Sequence, residues 1–538
     1  MVSPDLTRDV KSKQGPTGGP IDKDLSGAET YDTIQSVTIA PSNPKVLWVG
    51  TDDGWVWVTR NGGRHWSNVT PSGAPKWARV WHVTVSWRHP GTAYAVFDAH
   101  MLGNDRPYVY RTTDYGRSWR KITHGLPDHS VLVARSDPND PDLLMAGTMD
   151  GLYYSLDNGG RWLPLHANLP SAAVFDLQFV RRTHSLVLVT HGRGVWVLDN
   201  LRPLENWNAK VAREAFHLFP AAPGTLVYAS HTNGAGPSNF RGPNAVTGVV
   251  ITYSLQHALK PTPAEAAAHK TPVTIVVRNS AGGFVDRFNG PAKAGVNQAV
   301  WTLQYRGPAR LKLVGGGHGG FFSGGFGPRV PPGVYRISVS ADGITRTVTA
   351  RVHRDPNDRE PLAVYRANTQ LALTMRSVLS AFNRLLDRTA FWRRDLGVVL
   401  ARAQRHPAFA RRHAALITQA KALAKTLKSF EHPLWDADLQ HGVSEDFLRH
   451  YSRTHTHVTV LYGFTAFGGL TMPRAQERAA VVHARRRVEA LLARINGTIR
   501  DAVRRYDALA YGQKLGVLPL GKPIRLREPP KLPPATRM

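Results

Sequence analysis

The chain has 538 residues, room for about three or four domains, and its hydrophobic share of 42% suits a globular protein. It contains no cysteine, which excludes disulfides, a thiol nucleophile and any cysteine-based zinc site, and it has no run of about 18 apolar residues, which excludes a membrane-spanning helix. The formal charge is +29, and residues 351–538, with 33 Lys+Arg against 15 Asp+Glu, hold +18 of it.

The N-terminus, "MVSPDLTRDVKSKQG", is polar and lacks the apolar stretch of a secretory signal. From there to Asn200 the sequence repeats. "PSNPKVLWVGTDDG" from Pro41 matches "PNDPDLLMAGTMDG" from Pro138, and "RHPGTAYAVFDAH" (88–100) lies between them. The period is half the offset, within the ~40–50 residues of a propeller blade. Each unit reads as short strands rich in aromatic and β-branched residues, for example "SVTIAP", "VLWVGT", "WVWVTR" and "HWSNVT". Units begin near residues 35, 80, 129 and 172. One such sheet cannot bury both its faces, and radial stacking resolves this. A partial, about four-bladed β-propeller is expected over 1–200, with "VSPDLT" resembling the outer strand of a blade whose other strands are missing. A complete four-bladed ring is the rival reading.

Residues 201–245 read as a Pro/Gly-rich linker. The strand candidates "GVVITYSL", "TPVTIVVRN", "QAVWTLQY" and "GVYRISVSADGITRTVTARV" predict an Ig-like β-sandwich over 246–355, with Asp342-Gly343 turning the last hairpin. "GGGHGGFFSGGFGPRVPPG" (315–333) reads as a loop and lacks the Lys-Ser/Thr ending of a phosphate-binding loop. Over 360–510, Leu371, Met375, Val378, Phe382 and Leu385, and again Val481, Val488, Leu491, Ile495 and Ile499, recur at helical spacing. They predict a helical hairpin or bundle with two long antiparallel helices, and shorter ones between them over 388–470. Their arginine-rich outer faces suit an anionic polymer or membrane surface, without specific nucleic-acid readout. Residues 511–538, ending "PPKLPPATRM", are expected to be disordered. The fold class is thus mainly β with an α-helical tail.

One octapeptide recurs inside the propeller units: "TRNGGRHW" (59–66), "TTDYGRSW" (112–119) and "SLDNGGRW" (155–162). It resembles the Asp-box of BNR-repeat propellers, a motif of sialidases, sortilin-type receptors and two-propeller xyloglucanases. Together with "SPDLTRD…KQGPTGGPI", "THGRGVWVLDN" and "PPGVYRISV", it makes residues 2–355 look like the C-terminal half of a large bacterial family. Members of that family are labelled BNR-repeat glycosyl hydrolase or sortilin (VPS10) N-terminal domain-like. The resemblance implies a secreted or periplasmic setting, a parent about twice this length, and a missing N-terminal propeller half as a partner.

The octapeptide is read as a turn lock. Its structural residues are Thr59, Asn61, Gly63 and Trp66; Thr112, Asp114, Gly116 and Trp119; and Ser155, Asp157, Gly159 and Trp162. A carboxylate or amide oxygen and a hydroxyl close the turn, glycine supplies an unusual backbone angle, and the indole packs between sheets. Asn61 accepts the same bonds as Asp but cannot act as an acid or base, so catalysis at this motif is not expected.

Strand alternation puts the octapeptide on one propeller face and the loops "TDDG", "DAHMLGNDRP", "TMDG" and "THGRG" on the other. Those loops offer Asp52, Asp53, Asp105 and Asp150 as candidate catalytic carboxylates, and His100, Arg106, His191 and Arg193 as candidate ligand contacts. A glycosidase needs two carboxylates roughly 5–10 Å apart; Asp-Gly at 53–54 and 150–151 also reads as a plain tight turn. No Glu occurs from residue 30 to 200, so a sialidase Tyr–Glu pair is not available there. The favoured reading is a non-catalytic binding propeller for a peptide, protein or glycan. A glycoside hydrolase, xyloglucanase- or sialidase-like, is the alternative. No cofactor or metal is expected.

Overall fold

The computed structural model describes residues 2–13, 32–166, 168–227, 246–312, 326–434, 454–467 and 471–533. Most of the glycine-rich stretch 315–333 and the last residues of the tail lie outside them. The chain divides into two compact units, Met1–Glu214 and Ala215–Met538.

The first unit is built of antiparallel sheets in simple up-and-down order. The first contains β1 (Ile34–Ile39), β2 (Leu47–Thr51), β3 (Val56–Thr59) and β4 (Ser67–Asn68). The second contains β5 (Arg79–Val85), β6 (Ala93–Asp98), β7 (Tyr108–Thr112) and β8 (Arg120–Lys121). The third contains β9 (Val131–Ser136), β10 (Leu144–Thr148), β11 (Leu152–Ser155) and β12 (Leu163–Pro164). The last has β13 (Val174–Val180), β14 (Ser185–Thr190) and β15 (Val195–Leu198) and no fourth strand among the described residues.

What joins the sheets is a separate apolar layer at each junction. Trp48, Val56 and Val58 meet Val80, Val83 and Phe97 between the first and second sheets. Tyr94, Val96 and Val109 meet Val131, Ala134 and Leu144 between the second and third. Val133, Met145 and Leu152 meet Val174, Leu177 and Leu186 between the third and fourth. Alternating strand faces feed successive layers, and this face-to-face stacking of four-stranded sheets is a β-propeller arc. The first strands of neighbouring sheets pack against one another, which sets them innermost; β4, β8 and β12 are short and exposed.

In the second unit, two sheets share one core. One has the order β16-β18-β21, from Phe216–Leu218, Val249–Leu255 and Gly295–Trp301. The other has the order β17-β23-β22-β19-β20, from Gly224–Thr225, Ile344–His353, Gly333–Ala341, Val273–Asn279 and Phe284–Gly290. Ile251, Tyr253 and Trp301 of the first sheet bury against Ile275, Val277 and Ile337 of the second. Asp342 (φ 50°) and Gly343 (φ 71°) take the left-handed turn that the sequence predicts between β22 and β23. Strands β16 and β17 fall within the stretch expected to be linker; each is too short to leave an alternating signal.

The helical part departs from the expected pair of long helices. The first helix runs without interruption from Leu362 to Arg405, well past residue 388. Shorter helices follow at Ala414–Glu431 and Thr454–Phe467, then Ala475–Arg494 and Arg500–Gly512, separated by a widened turn at Ile495–Ile499. The expectation of a disordered tail is overturned through residue 533. Leu518 and Ile524 are buried in the helical core, and Trp392 donates its indole N–H to the Pro519 carbonyl at 3.0 Å. Asn496, in the widened turn, both donates to the Ile524 carbonyl (2.7 Å) and accepts from its N–H (3.0 Å). An extended Pro-rich strand makes few bonds to itself, so its carbonyls are free for such side-chain donors.

Candidate functional site

The propeller's two faces differ in chemistry. The β3–β4, β7–β8 and β11–β12 turns hold the octapeptides. In each, the Ser/Thr hydroxyl donates to the Asp/Asn oxygen and accepts the glycine N–H. The donor-to-oxygen distances are 3.0 Å at Thr59–Asn61, 2.8 Å at Thr112–Asp114 and 2.7 Å at Ser155–Asp157. The glycine N–H distances are 3.0, 3.0 and 2.9 Å for Gly63, Gly116 and Gly159. Asn61 accepts the His65 N–H at 3.0 Å as Asp114 accepts that of Ser118 at 3.0 Å. The Ser/Thr hydroxyl and the Asp/Asn side-chain oxygen of each motif are thus used within its own turn.

The opposite face carries the β2–β3, β6–β7, β10–β11 and β14–β15 loops. Asp52 is buried and accepts the Thr33 N–H (2.7 Å) and hydroxyl (2.9 Å). Its carboxyl is pushed up by burial, partly offset by those bonds. Asp53 is fully buried; it accepts from the Thr51 hydroxyl and the Arg8 N–H, and burial pushes its carboxyl up to about 6. Arg8 covers it, with its guanidinium 4.7 Å from the ring centres of both Trp55 and Trp77. Asp150 accepts the Thr148 hydroxyl at 2.7 Å, the same Thr-x-Asp turn as Thr51–Asp53. Asp105 and Arg106 are exposed on their loop. His100 bonds Asp98 at 2.6 Å; this bond raises the imidazole pKa and, against the upward push of burial, leaves Asp98 below its usual value. Arg193 is exposed, and its carbonyl accepts the Trp196 indole N–H at 2.9 Å. The His191 ring lies 4.9 Å from that of Phe175, tilted by 41°.

The residues that sequence reasoning missed lie on the inner strands. Each inner strand slips register once, at the end nearest this loop face: between Ile34 and Ser36, Val80 and His82, opposite Gly147/Thr148, and between Val174 and Asp176. The residues left unpaired are Gln35, Trp81, Leu132 and Phe175. A bulge re-aims its side chain and is frequent beside binding sites. Trp81 and Phe175 meet edge to face at 5.8 Å, although they belong to the second and fourth sheets. His191 extends this aromatic group, and the Arg79 guanidinium lies 5.2 Å from the Trp81 ring. Beneath, Arg135 bonds Asp176 at 3.0 Å, and His82 lies 3.8 Å from the same oxygen. Aligning "VWHV", "VLVA" and "VFDL" as equivalent strand starts would have exposed the position; the bulge itself leaves no mark in one sequence. The arrangement offers aromatic surfaces with the Arg79 guanidinium at their side. Among the described residues no cluster of His, Cys, Asp and Glu is suited to a metal ion.

No protein-family model matches the chain, and no curated protein matches it. The chain is similar to a GH74 xyloglucanase from Xanthomonas campestris at 20% identity and a TM-score of 0.27, over 34% of this chain and 30% of that one. It is similar to YCF48 bound to D1 peptide at 21% identity and a TM-score of 0.25, over 31% of this chain and 49% of that one. For the GH74 enzyme of Niastella koreensis the values are 12% and 0.27, over 60% and 47%. The chain spans less than two thirds of each of these proteins, and at such scores the likeness does not reach activity.

Proposed function

We propose that the first unit is a non-catalytic binding propeller of the sortilin-like BNR type, and that it takes a glycan or peptide on the loop face, against Trp81 and Phe175. The observation that carries this reading is the aromatic pair at bulged inner-strand positions, rimmed by Arg79 and His191. Aromatic faces take the apolar face of a sugar or a peptide side chain, and the guanidinium supplies a directional donor. The carboxylates speak against hydrolysis. Asp52 and Asp53 are buried and committed to Thr33, Thr51 and Arg8, and Asp150 closes a turn. A glycosidase needs two carboxyl groups facing a sugar across open space. The test is binding to glycan and peptide panels, followed by tryptophan fluorescence. Trp81→Ala should weaken binding by tenfold or more. Release of reducing ends from xyloglucan by the purified chain would overturn the reading.

The extracytoplasmic setting belongs to the same proposal and is checked by cell fractionation. The helical part is proposed as the contact for an anionic surface. There Arg388 lies near Arg500 and Arg384 near Arg527, and burial together with these like charges lowers the pKa values of Arg384 and Arg388. Retention on heparin that falls steeply with salt is expected.

A further inference from the structure

The Pro-rich segment after the last helix lies on the helical core as a strap, and at one turn it is held by cations. Arg384, Arg388 and Trp392 stand one turn apart along the first helix. Trp392 holds the Pro519 carbonyl, Arg388 donates from Nη1 to the Lys522 carbonyl at 2.8 Å, and Arg384 lies near Arg527. Arg500, which opens the last helix, donates from Nη2 to the Gly521 carbonyl at 3.0 Å. Two guanidiniums from different helices therefore grip adjacent carbonyls of one turn. Gly521 has a φ of 56°, and a Cβ there would stand 3.0 Å from Nη2 of Arg388, so glycine lets that guanidinium lie against the backbone.

The turn has no matching acid. Lys522, Arg525 and Arg527 of the strap are exposed, and Arg388 and Arg500 are half-buried. Among the described residues no carboxylate forms an ion pair with any of these cations. The acids next to them in sequence are committed elsewhere. Asp387 accepts the Lys312 N–H at 2.7 Å, Asp501 pairs with Arg504 at 3.1 Å, and Glu528 pairs with Arg485 at 2.8 Å. Holding the strap does not require charge: Trp392 and Asn496 do it with a neutral indole and a neutral amide. Like charges gathered without a counter-ion repel, and a carbonyl offsets this only in part, because it offers a dipole and no net charge. Burial, and then the charge of Arg500, lowers the pKa of Arg388 accordingly.

We infer that the Gly521–Lys522 turn is a phosphate-binding site, where a phosphate group is taken by the guanidiniums of Arg388 and Arg500 and the ammonium of Lys522. The inference rests on the reading of the helical part as an anion contact and gives that contact a place and a chemistry. A guanidinium carries five N–H donors in a planar fork, and the strap carbonyl bonds use one on each arginine. The terminal oxygens of a phosphate can accept from two forks and an ammonium at once, and its charge of about −1.5 to −2 offsets the gathered cations. A carboxylate offers fewer oxygens and a single charge. A lipid headgroup and free phosphate present the same chemistry.

Titration calorimetry of the full chain with inorganic phosphate at neutral pH, with ionic strength held constant by sodium chloride, should show binding in the millimolar range or tighter. Arg500→Gln should weaken it by about tenfold. Lys522→Gln leaves in place the backbone carbonyl that Arg388 holds, so the strap stays docked; it should weaken binding by about threefold with an unchanged midpoint in denaturant. Recruitment to phosphatidylcholine vesicles containing phosphatidate, above that to vesicles made equally anionic with phosphatidylserine and reduced in both variants, would assign the phosphate to a lipid. Binding of free phosphate without that recruitment would assign it to a soluble ligand. A parent chain that does not bind phosphate, or binding that neither variant weakens, overturns the inference. Salt-sensitive retention on heparin in either of those cases would leave the broader anionic contact standing, so the two failures are told apart.

Discussion

The indole N–H of Trp162 donates to the carbonyl of Ile122 at 2.8 Å and crosses from the third sheet to the second. Trp162 is also almost fully buried, so one side chain supplies both a directed bond and an apolar plug between blades. Trp162→Phe keeps the ring and leaves the Ile122 carbonyl without its donor; the expected cost is about 1–3 kcal/mol. Trp162→Ala adds a cavity and should cost about 3–5 kcal/mol. Trp66, which makes the equivalent bond at the exposed end, should lose much less on substitution by Ala. Urea unfolding of the three variants measures the order.

The octapeptide turns allow a direct test of acceptor against acid. Asp114 accepts the Ser118 hydroxyl and N–H and the Thr112 hydroxyl; these bonds, the Ser118 hydroxyl first, hold its carboxyl at about 2. A depressed folded pKa gives stability that is present above the unfolded value of about 4 and lost as pH falls through about 2. Asp114→Asn keeps one acceptor and should cost about 0.5–1.5 kcal/mol at pH 7. Asn61→Asp should be neutral or stabilising, since its neighbours already supply donors. Ligand binding on the opposite face should be unchanged in both variants, as read by the Trp81-dependent fluorescence assay.

The turns were legible because their chemistry is local: Ser/Thr, Asp/Asn and Gly sit within five residues and close on themselves. The blades were legible for a related reason, since strand alternation and turn spacing need no distant information. The binding face was not. Asp53 reads as an available carboxylate until Arg8, 45 residues earlier, is found bonded to it. Trp81 and Phe175 read as ordinary strand residues until two bulges and two intervening junctions bring them to 5.8 Å. The tail misled in the other direction: its composition is that of disordered chain, and distant side chains such as Trp392, Asn496, Arg388 and Arg500 show where it docks.

Two buried groups, one in each unit, should answer acid oppositely. Asp137 is buried beside Glu205, and burial followed by that charge pushes its carboxyl up to about 7. With an unfolded value of about 3.9, the folded state holds a proton that the unfolded state lacks, so this stability is complete at low pH and fades as pH rises through about 7. His455 is buried against Asn383, its Nε2 2.9 Å from the amide oxygen, and burial lowers it to about 4. Here the unfolded state takes the proton first, so stability is present above about 6.5 and lost as pH falls toward 4. Half-buried His82 and His184 of the first unit, whose pKa values burial lowers, oppose Asp137, so calorimetry from pH 7 to 5 reads each trend as the difference between the parent chain and its variant. Asp137→Asn should flatten the first trend and His455→Leu the second.

The Pro-rich strap separates a packed tail from an idle one. Leu518 and Ile524 are each about nineteen-twentieths or more buried, and two aliphatic side chains of that kind contribute about 1.5–3 kcal/mol apiece. The bond from Trp392 to Pro519 adds about 0.5–1.5 kcal/mol, and its loss leaves a buried indole N–H without a partner. Ending the chain after Gln513 should therefore lower the helical unit's midpoint in denaturant sharply and open the Ile495–Ile499 turn, where Asn496 loses both of its bonds to Ile524. Leu518→Ala is the milder version, at about 2–5 kcal/mol. An unchanged midpoint for the shortened chain would mean that the strap is held by the core without supporting it. Hydrogen exchange at Ile495–Ile499 distinguishes the two, because only a supporting strap protects those amides.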